Sequence, residues 1–557
     1  MTHEMDADDE PIDAGRYRRP VSTASAAAQR WWERGLTWCY GYHHERAIGC
    51  FQRAAAADPG CAMAQWGIAY ASGPNYNYPW RLHDPAGKAR ALAQARAATA
   101  AAVALAGRGG LTGPEAALVA ALPARYPQDT PAEDQSGWDR DFAAAMREAH
   151  RAHPADPDIA AVFAESLLNL TPWQMWDLST GQPAAGAATQ EARRVLETAM
   201  ARPGGMDHPG LTHLYVHLME MSPEPEAALR AADRLRRLVP GAGHLVHMPS
   251  HIDVLCGAWA DALQGNLDAV AADEALAERE GRLNFYTGYR LHNYHFAIYA
   301  AMFLGRYDAA MAAAEGLEAT MPEAFLRIDS PPMADFFEAF RALKPHIWIR
   351  FGRWAEAAEA PLPADPDLYR MGTAMARYAR GVARAALGEV EAALAEQEAF
   401  RAAAARVPPT RLLHNNRCVD LLGIAESMLA GEIDYRRRAY GPAFDHLREA
   451  VRREDTLPYD EPWGWMQPAR HALGALLLEQ GEAAEAEAVY RADLGLGGTL
   501  PRAQVHPDNV WALRGLLTCL ERRGEQAEAV HVRARLRLAQ ARADGRVAVS
   551  CFCARGG

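Results

Sequence analysis

The chain has 557 residues, half of them apolar, a net charge of −12 and a sequence pI near 5.9. That apolar content is enough to bury a large core, so extensive disorder is excluded, and the acidic balance leaves no basic footprint for nucleic acid. Ala, Leu, Arg and Glu dominate, and no sustained alternation of period two appears, so an all-α protein is expected with no convincing strand.

Residues 1–20 open with MTHEMDADDEPIDAG, which is acidic and has no apolar core, so they read as a disordered lead and not as a secretory signal. No run reaches the ~18 uninterrupted apolar residues of a membrane span. A cytoplasmic protein with no membrane and no nucleic-acid partner is the expectation. Lys88 and Lys344 are the two lysines beside many arginines, a bias expected of a GC-rich bacterial genome.

From Trp31 a pattern begins: Trp31, Gly35 and Trp38, then Ala47, Phe51, Ala54 and Pro59. It predicts a helix with a large-small-large face, a turn, and a second helix closed by proline. Further on, a Gly followed five residues later by an Ala recurs at Gly257/Ala262, Gly305/Ala310, Gly352/Ala357, Gly388/Ala393, Gly481/Ala486 and Gly524/Ala529. Ala228 lies 34 residues ahead of Ala262, the period of the tetratricopeptide repeat, which this pattern resembles. One helical array over 21–545 follows, with an N-terminal half set off near residue 150. The segments 73–85, 107–137 and 171–185 read as irregular connections or lids, and 546–557 as a tail.

Between His208 and His295 fall eight of the chain's twenty histidines. His213, His217 and Glu220 stand at i, i+4 and i+7, and His244, His247 and His251 at i, i+3 and i+7; His292 and His295 repeat the i, i+3 step. On helices each set shares one face. Pro249 interrupts the second set and is expected to splay His244 and His247 from His251.

Neutral imidazoles leaning from neighbouring helices are donors for transition metals. The seven histidines His213, His217, His244, His247, His251, His292 and His295 exceed what one ion takes, so two or more ions are expected. A ligand set nearly free of carboxylates favours copper over iron, with zinc as a further option. Glu220 is a candidate catalytic base or partner of an imidazole, and Tyr299 a second candidate catalytic residue. Glu165 reads as inward-facing or solvated, and His208, His346 and His414 as hydrogen-bonded core residues. Cys39, Cys50, Cys61, Cys256, Cys418 and Cys519 sit in apolar helical contexts as structural thiols. Cys551 and Cys553, close in the tail, are candidate thiolate ligands for copper(I) or zinc.

The segments HHERAIGCFQRAAAADPGCAMAQWGIAYASGPNYN, HPGLTHLYVHLMEMS, PGAGHLVHMPSHI, HNYHF, FGRW and the terminal CFC together resemble a group of bacterial tetratricopeptide-repeat proteins. The resemblance implies a TPR-like α-solenoid, a superhelix of antiparallel helix pairs. It also implies that positions 2, 5, 9 and 12 of each first helix line a concave groove. On those positions fall His213, His217 and Glu220 in one repeat, His244, His247 and His251 in the next, and His292, His295 and Tyr299 in the third; His346 takes position 9 of a fourth. Two functions are expected from this pattern. One is a metal-dependent, multi-copper oxidoreductase or oxygenase acting on a small molecule or peptide, with a zinc hydrolase as its variant. The other is a non-enzymatic scaffold that binds a protein or peptide in the groove or carries metal.

Overall fold

The structure is a computed structural model that describes residues 11–554. It is all-α, of the tetratricopeptide type: long helices follow one another in pairs, and the β-structure among the described residues is two hairpins of two-residue strands, Trp176–Asp177 with Gln182–Pro183 and Leu412–Leu413 with Asn416–Arg417, and an isolated bridge between Asn75 and Tyr78. No helix among the described residues is long and apolar enough to cross a membrane.

The chain divides into two compact units, residues 1–252 with 268–281 and residues 253–267 with 282–557. The division crosses the chain after 252, 267 and 281. In the first unit the pairs are Ala26–Tyr40 with His44–Ala57, Ala62–Ser72 with Pro85–Ala106, Gly113–Arg125 with Ser136–Ala152, Pro157–Leu168 with Thr189–Met200, and Pro209–Met219 with Leu229–Leu235. In the second they include Thr287–Leu304 with Tyr307–Thr320, Arg370–Ala386 with Val390–Ala404, Cys418–Arg436 with Tyr440–Asp455, Ala469–Glu479 with Ala483–Asp493, and Val510–Arg523 with Gln526–Gln540.

The Gly-to-Ala spacing has a direct physical meaning. All six glycines adopt positive φ, from +61° at Gly352 to +88° at Gly481, the left-handed conformation that ends a first helix and turns the chain into the second. The six alanines five residues on are all fully buried, because at that place two helices approach too closely for a longer side chain. Ala47 and Ala443 are buried in the same way. Five residues before them stand Tyr42 and Arg438, which take the left-handed conformation without being glycine, at φ +57° and +62°.

Of the expected lead, residues 1–10 lie outside the described residues. Residues 11–20 are docked on the first unit: the Arg19 guanidinium meets Asp156 and Asp158 at 2.7 and 2.5 Å, the Tyr17 hydroxyl donates to Asp158 at 2.8 Å, and Ile12 is buried. The segment 107–137 contains a full helix, Gly113–Arg125, started by a reciprocal capping box between Thr112 and Glu115, a TxxE signal that its glycine and proline content obscured.

The tail is buried in the second unit. Val547, Ser550, Cys551 and Cys553 join a core with Tyr490, Trp511 and Leu516, and the buried Arg350 donates to the Ser550 carbonyl at 2.8 Å. Cys551 and Cys553, expected as thiolate ligands, are joined in a disulfide within this core. Of the six other cysteines, Cys39, Cys50, Cys61, Cys418 and Cys519 are buried and Cys256 is partly exposed.

Gly481 has open space where a Cβ would sit, so Gly481→Ala isolates the backbone term and is expected to cost about 1 kcal/mol. Ala486→Leu overpacks the closest helix approach and is expected to cost about 1–3 kcal/mol. Urea unfolding of both variants checks this, and a neutral Gly481→Ala would remove the conformational account of the spacing.

Candidate metal centre

Helix Pro209–Met219 begins on His208, whose Nδ1 accepts the Leu211 N–H at 3.2 Å, with Pro209 in its first turn, where a missing donor is harmless. Every residue of this helix is buried, so the imidazoles of His213 and His217 point into the unit's interior. The next histidine segment is broken where expected. Gly243–His247 stops at Met248, and Pro249–Leu255 starts on the proline, which has no N–H to continue the ladder. The break does not splay the side chains: the His247 and His251 rings are 4.6 Å apart, with their Nε2 atoms at 2.6 Å.

The imidazoles are held from behind. His213 Nδ1–H donates to the Tyr40 carbonyl at 2.7 Å. Glu220 accepts from His217 Nδ1 at 3.1 Å through Oε1 and from His251 Nδ1 at 2.7 Å through Oε2. With Nδ1 carrying the proton, the lone pair lies on Nε2, the atom that faces the other rings. His213 Nε2 stands 3.1 Å from His244 Nε2, and His213, His217 and His244 each offer a ring nitrogen within 4.8 Å of the other two. Two nitrogen ligands on a tetrahedral ion with bonds of 2.0–2.1 Å are separated by about 3.3 Å, so the spacing fits a shared cation.

Electrostatics points the same way. Burial pushes His213 down to about 3, against the Tyr40 carbonyl that favours its proton, with His247 lowering it further. His244 is held well below the usual histidine range by burial, then by His213, His217, His247 and His251. Both rings therefore stay neutral and keep lone pairs for an electrophile.

Sequence reasoning missed the aromatic walls. Tyr42, the non-glycine residue in the left-handed position, lies against three of the rings, with centroid distances of 4.6 Å to His213, 5.9 Å to His217 and 5.5 Å to His244. A bulky side chain at positive φ carries strain of about 1–3 kcal/mol, a burden common where function fixes a residue. The signal was in the chain: counting back five from Ala47 lands on a tyrosine where six of the repeats have glycine. Tyr76, from the segment 73–85, packs on His217 at 4.7 Å and is fully buried. Tyr40 fills the place beside Gly210, where an added Cβ would lie 2.6 Å from its ring; this is why position 2 of that repeat is glycine and not a third histidine.

The remaining candidates fall as follows. Glu220 is the orienting partner of two imidazoles, and both its oxygens are engaged. Glu165 faces inward: it is buried, accepts from the Tyr70 hydroxyl, and burial raises its carboxyl. His208 is a buried hydrogen-bonded residue, its Nε2 3.2 Å from Asp158. His292, His295 and Tyr299 belong to the second unit, on helix Thr287–Leu304. Tyr299 packs among Trp259, Phe303 and His506, and burial, with Asp493 and Glu454, pushes its hydroxyl well above the usual tyrosine value, so it remains a phenol at neutral pH.

Compared with known proteins, the chain matches no family model and no curated protein sequence. Among solved structures it aligns with the human IFIT1 dimer with m7Gppp-AAAA at 11% identity and TM-score 0.33, over 93% of this chain and 91% of that one. It aligns with the APC/C hetero-tetramer Cut9-Hcn1 at 12% and 0.31, over 88% and 77%. A third alignment, with Naa15/Naa10 bound to HypK-THB, has 13% identity and a TM-score of 0.21, over 92% and 70%. At such scores the alignments carry no argument about function, and the site has to be read from its own residues.

Glu220→Gln leaves one carbonyl oxygen for two imidazole N–H groups and is expected to weaken metal binding about 10- to 100-fold, measured by chelator competition; unchanged affinity would show that Glu220 does not set the tautomers. In the metal-free protein His43 and His213 are both held near 3 by burial, below their unfolded value of about 6.5. Between those values the unfolded chain binds more protons, so stability should be full above about pH 6.5 and fall as pH drops towards 3. Thermal melts across pH 4–7 check the sign.

Proposed function

We propose that the protein is a metal-dependent oxidoreductase in which His213, His217 and His244 hold a transition-metal ion, copper ahead of iron, acting on a small molecule or peptide. The observation that carries this reading is the orientation of the rings: a backbone carbonyl and a carboxylate take the Nδ1 protons of His213 and His217, and buried nitrogens converge on one point. Three protein ligands leave a coordination position free, as catalytic sites do and closed structural sites do not. An all-imidazole donor set suits copper better than the oxygen-rich environments that hold magnesium, calcium or manganese. Glu220 ties His217 of this set to His251, so the His247–His251 pair lies one carboxylate away and supplies donors for a second ion.

The zinc-hydrolase alternative needs a free carboxylate near the metal as general base. Glu220 is a poor candidate for that role, because both of its oxygens already accept imidazole N–H groups. A non-enzymatic scaffold remains the reading to beat on the side of the fold, since helical repeats of this type commonly bind peptides.

The test is elemental analysis of untagged protein, grown with copper, iron and zinc supplied, followed by dioxygen uptake with candidate reductants. Copper or iron at about one equivalent or more, lowered by about one equivalent in His213→Ala/His244→Ala with helical circular dichroism retained, is the expected result. Zinc alone would redirect the reading to hydrolysis. Protein that takes up no metal on reconstitution would overturn the reading in favour of the scaffold.

A further inference from the structure

A second set of donors lies entirely within the second unit and draws no residue from the first. His295 is fully buried on helix Thr287–Leu304, and its Nε2 lies 2.8 Å from the Sδ of Met466. Met466 is itself fully buried, in the segment between Tyr440–Asp455 and Ala469–Glu479. His292, one turn before His295, has its ring 6.3 Å from that of His295 and stacks at 4.7 Å on His414. His414 sits in the turn of the Leu412–Leu413 and Asn416–Arg417 hairpin at φ +51°, a strained conformation for a histidine. Its Nδ1 donates to the buried Asp460. Phe340, Phe296 and Trp465 wall the group: Phe340 packs on His295, Phe296 on His292, and Trp465, next to Met466, on His346.

The hydrogen-bond account of His295 does not close. A neutral imidazole has one N–H and one lone pair. If Nε2 carries the proton, it is donated to a thioether, a weak acceptor, and Nδ1 is a bare lone pair. If Nδ1 carries the proton, Nε2 and sulfur face each other with lone pairs alone. In either case Nδ1 is buried with no hydrogen-bond partner among the described residues, at a cost of about 1–3 kcal/mol. A soft cation that accepts from nitrogen and sulfur together resolves the Nε2–sulfur opposition. Hard ions and zinc have little use for a thioether, whereas monovalent copper is selected by it.

We propose that the second unit holds a site for monovalent copper, with His295 Nε2 and Met466 Sδ as its paired donors and the stacked His292 and His414 imidazoles beside them as the further nitrogen donors. A site with a thioether donor in a water-excluding aromatic pocket favours the lower oxidation state, so its role is to store or supply copper rather than to bind a substrate. The inference stands independently of the oxidoreductase reading, since it uses different residues.

The experiment titrates tetrakis(acetonitrile)copper(I) into anaerobic full-length protein against bathocuproine disulfonate, in a His213→Ala/His244→Ala/His251→Ala background that disables both first-unit donor sets. About one equivalent is expected to be withheld from the chelator, and adding Met466→Leu, a swap that keeps volume and usually costs under about 1.5 kcal/mol of stability, is expected to lower the copper affinity at least about tenfold. X-ray absorption should show a copper–sulfur path that Met466→Leu removes. Equal binding by the Met466→Leu protein, or no copper withheld in the His213→Ala/His244→Ala/His251→Ala background, overturns the proposal. Copper bound by the unmutated chain and lost wholly with His213, His244 and His251 would do so while leaving the first-unit reading intact.

Discussion

A buried imidazole must have both ring nitrogens answered, and that requirement organises the site. Removing a neutral polar group from water without a partner costs about 1–3 kcal/mol, and a charged one far more. The structure answers one nitrogen of each of these rings from behind: the Tyr40 carbonyl for His213, the two oxygens of Glu220 for His217 and His251, and Asp460 for His414. For His213 the other nitrogen faces the neighbouring His244 ring, and burial pushes that imidazole down to about 3. Were an ion held by such nitrogens, its binding and folding would be linked.

The supports of the first-unit site extend to residues far from it in sequence. Asp158, held charged against burial by His208, Arg19 and Tyr40, accepts the Tyr40 hydroxyl at 2.5 Å. Arg19 and Tyr17 reach the same carboxylate from the N-terminal segment. Tyr40 in turn presents its carbonyl to His213. A segment with no helical pattern of its own thus fixes the tautomer of a candidate ligand through two intermediaries. The second unit uses a comparable chain for its tail. Arg350, pushed down to about 9 by burial, donates to His471 Nδ1 at 2.7 Å and to the Ser550 carbonyl, while His471 Nε2 donates to Asp493 at 2.9 Å and His506 Nδ1 to its other oxygen at 2.8 Å.

Helix pairing, by contrast, is local and uniform. Left-handed glycines end the first helices and fully buried alanines let the second ones approach, and both rules act within about one repeat of 34 residues. The one departure at the site, Tyr42 in a glycine position, is where the repeat yields to the histidines. Its ring packs on three imidazoles, and the surrounding contacts hold the strained backbone in place.

The amino-acid order by itself determined the all-α repeat class, the places of the Gly and Ala pairs, and the face shared by His213, His217 and Glu220, because each depends on backbone conformation and on spacings shorter than one repeat. It also placed the break at Pro249, since a missing N–H acts on the spot. Only the tertiary structure decided that His251 shares Glu220 with His217, that the Tyr40 carbonyl answers His213, that Met466 faces His295 across a sequence separation of 171 residues, and that the tail cysteines pair with each other in a core. Those contacts depend on how non-adjacent helices and connecting segments pack, and no periodicity of 3.6 residues records which distant group arrives at a ring nitrogen.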